Sequence, residues 1–319
     1  MPSTFDTTKF IHTAQIGGIE SYTIDEGPAR NVRVLCVNTG GGLRYRVLVD
    51  RGMDIDQAFM HQHSLTLLAH KGLTPPTRGL DTGIDWLKSF GVGLLTSCGP
   101  FNTGGPAVDA GENLGLHGPH SNTGAEIESV IQPRPHEGKL EMSITGSVKY
   151  GRFFGPCVEL RRTISSMLGS NTIAITDEFH NAGNQEVPHA WLLHINLGYP
   201  LVDAGAELCF DETKVEPVNT ELSQKHFAKG NNYKKIPAPL ELHRGGKEFV
   251  AYIYPRSKSG KTTVGIINSK LNLGLAVRYD TRQFPRCGNW QHFGPGEYVT
   301  ALEPMNGGVE GRDKDRAKG

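Results

Sequence analysis

The segment VELRRTISS (158–166), followed after a short break by TIAITDEFH (172–180), decides the fold class. Both runs have strand character, and Gly169, Ser170 and Asn171 between them supply turn chemistry, so the pair reads as a β-hairpin. The same kind of run recurs along the chain. It appears at 32–37, 46–50, 127–131, 140–150, 191–197, 262–267, 273–279 and 298–303, each bounded by Gly, Pro, Asn or Asp. Helical signal is weak. Only TGIDWLKSF (82–90) reads as one short helix, and the absence of any long 3.6-period segment argues against a doubly wound α/β fold. Residues 212–247 are polar and read as a long insertion or connection.

The expected architecture is all-β, a large antiparallel β-sandwich with one face of one sheet open to a ligand. The 319 residues fit one domain over the whole chain, 1–319, with a charged tail, GRDKDRAKG, fraying from about 311. Gly and Pro make up about 18% of the chain, against about 12% on average, and are spread out as many turns are.

Lys plus Arg is 33 and Asp plus Glu is 33, a balance that argues against nucleic acid or an anionic membrane as partner. No GxGxxG follows a strand and no GxxxxGK[ST] occurs, so nucleotide binding has no support. Cys36, Cys98, Cys157, Cys209 and Cys287 are far apart, odd in number and without CxxC. A disulfide framework or zinc site is therefore not expected. The N-terminus lacks a signal pattern and no run approaches 18 apolar residues, so the expected location is the cytoplasm.

Three segments carry candidate chemistry. In YVTALEP (298–304), Glu303 follows Val299 and Ala301 on one strand face, and Pro304 stops the ladder. It reads either as a rim carboxylate or as a carboxylate tuned for proton transfer at a cleft. In WLLHINLGYP (191–200), His194 and Asn196 share a face and need partners, as a core histidine or as an acid with a neighbouring amide. GLHGPHSNTG (115–124) is a glycine-flanked loop bearing His117, His120 and Asn122. Its two histidines lack a third ligand nearby, so no metal is expected. Arg51 in DRGMDI (50–55), Arg78 in a loop, and Trp290 on the approach to the last strand are further candidates, Trp290 as a platform for a sugar face.

Taken in order, DRGMDI, GLLTSCG (93–99), GLHG, HINLGYP and GEYVTALEP resemble the aldose 1-epimerase (galactose mutarotase-like) superfamily, in a poorly characterised bacterial subgroup, over roughly residues 20–312. The resemblance implies the family's antiparallel supersandwich, with a sugar cleft on one sheet. It implies an isomerase that interconverts the α and β anomers of an aldose with no metal and no organic cofactor. Glu303 matches the general base that takes the anomeric hydroxyl proton. His194 matches the general acid that protonates the ring oxygen, and His117 matches the histidine that supports the sugar. The family's sugar-binding arginine and aspartate have no clean counterpart; Arg51 or Arg78 stands for the first and Asp54 for the second. The sugar is not named by these residues, and a homodimer is left open. The alternatives are an isomerase or epimerase acting at another carbon, or a carbohydrate-binding protein without catalysis.

Overall fold

The hairpin forms where the pattern puts it. Cys157–Met167 pairs antiparallel with Ala174–Asn181, with Ile164 opposite Ile175. Along the first of these strands Val158, Leu160, Arg162, Ile164 and Ser166 point inward, the period-two signature of a strand with one buried face. The structure, a computed structural model, describes residues 5–80 and 82–318.

Twenty strands follow one another among those residues. They are β1 Gly18–Thr23, β2 Arg33–Asn38, β3 Leu43–Leu48, β4 Asp54–Met60, β5 His63–Ser64, β6 Leu95–Cys98, β7 Ala107–Asp109, β8 Glu112–Leu114, β9 Ala125–Ile131 and β10 Glu141–Gly151. Then come β11 Cys157–Met167, β12 Ala174–Asn181, β13 Leu192–Gly198, β14 Glu207–Cys209, β15 Glu212–Pro217, β16 Phe249–Pro255, β17 Lys261–Asn268, β18 Leu273–Asp280, β19 Arg286–Gly294 and β20 Glu297–Met305. The short helices are α1 Glu221–His226 and α2 Arg312–Lys318.

Ten strands form one continuous antiparallel sheet in the order β1-β2-β3-β4-β6-β13-β20-β19-β16-β15, with β5 attached to β4. A four-stranded sheet, β12-β11-β10-β9, and a three-stranded sheet, β14-β17-β18, accompany it. One apolar cluster joins all three: Val47 and Ile55 from the large sheet, Ile144 and Leu160 from the second, Val264 and Ile266 from the third. Each such side chain contributes roughly 1.5–3 kcal/mol on burial. The fold is therefore the antiparallel sandwich expected of the sequence.

A buried polar network crosses this core behind the site. Arg162 of β11 is fully buried. It donates to Asp177 at 2.7 and 2.8 Å, to Asp54 Oδ1 at 3.2 Å and to Ser97 Oγ at 2.9 Å. Asp54 also accepts the Ser97 N–H, and Trp191 Nε1 donates to Asp177 at 3.0 Å. Two carboxylates thus satisfy one guanidinium whose burial would otherwise be prohibitive.

Three expectations are revised. The helix at 82–90 narrows to a 3-10 turn, Asp85–Lys88. The segment 212–247 is not all connection, since β15 closes an edge of the large sheet there. The tail does not fray at 311: α2 forms because Arg312 donates to Asp109 at 2.7 Å and Glu112 at 2.8 Å, and Arg316 donates to both oxygens of Asp109 at 2.8 Å. Among the described residues no helix is long and apolar enough to cross a membrane, and the five cysteines are free.

Candidate active site

One cross-strand row runs over six strands of the large sheet. Thr96 opposes His194. The pairs Leu192–Met305 and Ile195–Leu302 set His194 opposite Glu303. Glu303 opposes Gly288, Gly288 opposes Tyr252, and Tyr252 opposes Glu216. Residues in such a row share a face. This face looks away from the main core and carries its own apolar cluster of Trp86, Cys98, Leu192, Tyr252 and Met305.

On it His194 Nε2 lies 3.2 Å from Glu303 Oε1, with 5% and 3% of the two residues exposed. Three aromatic rings surround the histidine. His117 stands perpendicular to it at 5.8 Å, Trp290 at 5.5 Å and Phe90 at 5.7 Å. Trp86 stacks on Phe90 at 4.5 Å, packs on His117 at 4.7 Å, and anchors its Nε1 on Ser121 Oγ at 2.9 Å. Trp290 Nε1 donates to Glu248 Oε2 at 2.6 Å. The result is a buried acid–base pair with flat apolar walls, the lining that suits a sugar ring.

His117 sits in the left-handed region at φ 60°, unusual for a non-glycine residue and characteristic of functional loops. Its backbone N–H donates to the Gly104 carbonyl at 2.9 Å, and its ring Nδ1 accepts the Gly104 N–H at 3.3 Å. With Nδ1 an acceptor, the neutral ring carries its proton on Nε2.

Burial sets the charge states. It raises the Glu303 carboxyl to about 8, with Glu248 adding to the rise. It lowers His194 to about 3, helped by the neighbouring His117 and opposed by the Asn196 side chain. It lowers His117 to about 4. Near neutral pH the pair therefore holds one proton, on Glu303, and neither member is charged.

The other residues singled out in the sequence fall in different places. Asn196 is buried beside His194, but its amide donates to the Gly93 and His194 carbonyls at 2.9 and 3.0 Å, so it braces the strand rather than offering donors to a ligand. Arg51 is buried and donates to the carbonyls of Thr74, Pro75 and Ser89 and to Asn122 Oδ1. Asn122 also accepts from Thr77 N and donates to Ser89 Oγ. Arg51 and Asn122 thus staple the loop at 74–89 instead of facing the pair. Arg78 is exposed on that loop. Asp54 faces the opposite side of the sheet toward Arg162, which removes it as a sugar ligand. His117 and His120 diverge: His120 turns inward to Tyr150 and Trp191.

Sequence reasoning missed Trp86, Phe90 and Gly288. The two aromatics lay in the segment read as a helix, four residues apart. Gly288 gave no signal, because its role depends on the strand opposite.

Residues 29–319 match the model of a family described as a domain of unknown function, DUF4432. No curated protein matches the sequence. Among solved structures, a Klebsiella pneumoniae protein provisionally described as an aldose 1-epimerase superimposes with a TM-score of 0.81 at 21% identity, over 94% of this chain and 79% of that one. A galactose mutarotase-like protein from Clostridium acetobutylicum gives 0.60 at 11% identity, over 90% and 87%. An Escherichia coli protein, again provisionally an aldose 1-epimerase, gives 0.51 at 13%, over 91% and 88%. At these identities the likeness is one of fold.

Proposed function

The chain belongs to the DUF4432 family, and on the fold and site just described we propose that it is a sugar 1-epimerase, interconverting the α and β anomers of an aldose or related sugar by acid–base ring opening. The observation that carries this reading is the 3.2 Å contact between His194 Nε2 and Glu303 Oε1 among the rings of His117, Phe90 and Trp290.

Anomer exchange removes a proton from O1 and delivers one to the ring oxygen. Both oxygens are bonded to C1, so two proton-transfer groups in mutual contact can reach both. The reaction also needs the pair to hold a single proton, one member donating while the other accepts. That is the proton count burial imposes here. The single proton first passes from Glu303 to His194 across their 3.2 Å contact. In the assignment the family resemblance supplies, the Glu303 carboxylate then takes the O1 proton while the His194 imidazolium gives its proton to the ring oxygen. The open aldehyde turns about its C1–C2 bond and recloses on its other face, with the two groups exchanging roles. His117 presents Nε2–H to a ring oxygen or hydroxyl, and Trp290 and Phe90 wall the ring. Each acid–base group contributes about 10²–10⁴-fold.

The test is polarimetry of freshly dissolved single anomers, over a panel of neutral aldoses and uronates. Accelerated equilibration of one sugar supports the proposal. Binding of a sugar with no acceleration of any would overturn it in favour of a binding protein or chemistry at another carbon.

A further inference from the structure

The segment that follows the strand bearing Glu303 folds back over the loop bearing His117. Thr103 Oγ1 donates to the Gly308 carbonyl at 2.8 Å, and Gly105 N–H donates to the Val309 carbonyl at 2.9 Å. Gly104, at φ 71°, lies so close to Val309 that a Cβ on it would fall 2.3 Å from the Val309 Cα. Val309 N–H in turn donates to Tyr252 Oη at 2.8 Å, on the cross-strand row that bears Glu303. The segment's far end is fixed by α2. Asp315 accepts the Gly308 N–H at 2.7 Å, and Arg312 and Arg316 converge on Asp109, which is buried with Arg312. Gly104 is the hub of this arrangement: it accepts the His117 backbone N–H and donates to the His117 ring, while Gly99 N–H holds the His117 carbonyl.

We propose that the C-terminal segment, Gly307 through α2, is a clamp that positions His117: the Arg312–Asp109 lock presses Val309 onto Gly104, and Gly104 N–H selects the Nε2–H form of the His117 ring that stands against His194. Arg312, Arg316 and Asp109 are positioning residues and touch no substrate. The consequence for turnover rests on the proposed sugar epimerisation; the consequence for the ring does not.

Loosening the clamp frees Gly104 N–H from Nδ1 and lets the proton move between the two ring nitrogens. The experiment uses the full-length protein labelled with ¹⁵N-histidine, with His117 signals assigned by comparison with His117→Gln. Ring ¹⁵N shifts report the tautomer with no sugar present. Wild type is expected to show an Nε2–H ring. Arg312→Ala is expected to shift His117 toward a tautomer mixture, and Arg312→Lys to restore part of the wild-type signature. With an exchanging sugar, Arg312→Ala should raise KM about tenfold and change kcat much less, as loss of a binding contact does. Should Arg312→Ala not fold, Arg316→Ala weakens the same lock from a largely exposed arm and gives the same readout. An unchanged His117 tautomer in a folded lock variant overturns the proposal, whatever the variant's melting temperature. If no sugar exchanges, a shifted ring still supports the clamp, so the clamp and the epimerase reading fail separately.

Discussion

Gly288 and Glu303 face each other across β19 and β20, and a Cβ on Gly288 would lie 2.5 Å from Glu303 Oε2. The carboxyl occupies the space a side chain would take. Gly288→Ala is therefore expected to push Glu303 out of reach of His194. Overpacking of this kind costs about 1–3 kcal/mol of stability. Turnover should fall by more than tenfold, the scale of a misplaced proton-transfer group. Urea unfolding and anomer exchange on the same preparation measure the two effects.

The pH dependence follows from the pair. Between the lowered His194 and the raised Glu303, one proton is shared and exchange can proceed. As pH rises through about 8, Glu303 loses that proton while His194 is already neutral, and no group remains to protonate the ring oxygen. Exchange, corrected for the uncatalysed rate, is expected to be flat near neutrality and to decline above about pH 8. A pH–rate profile rising beyond pH 9 would contradict the charge states assigned to the pair.

The same burial shapes stability. Glu303 has a folded-state value above its ordinary 4.5, so its contribution is intact below that value and is lost as pH rises toward about 8. Glu303→Gln has no proton to lose. The variant should melt higher than wild type, with a gap that widens between pH 5 and pH 9. Thermal melts at the two pH values check the sign; a gap that narrows would contradict it.

Arg162 makes a different prediction. Removing it leaves Asp54 and Asp177 without their buried cation, so Arg162→Met should destabilise the fold by about 3–5 kcal/mol. Chemical denaturation of the variant measures this, and a loss under 1 kcal/mol would contradict the role given to the network.

What the sequence disclosed and what it hid divide along one physical line. The hairpin at 158–180 was legible because it buries one face, which writes alternation into consecutive residues. The strands with His194 and Glu303, buried more nearly on both faces, were legible as short apolar runs bounded by turn residues. The sandwich followed from those segments. The roles of Arg162, Gly288 and Arg312 were not legible, because each depends on residues brought near only by the fold. Asp109 is 203 positions from Arg312, so the tail read as solvated charge. Arg51 looked like a spare cation because its acceptors are mostly backbone carbonyls, which no motif records.

The most direct test of the central claim is NMR saturation transfer between the α and β anomeric protons of an aldose panel, with wild type and Glu303→Gln side by side. The account predicts transfer with at least one sugar in wild type. In Glu303→Gln that transfer should be lost while the sugar's binding shifts remain. Undiminished transfer in the variant would contradict the assignment of Glu303 and His194 as the pair that moves the protons.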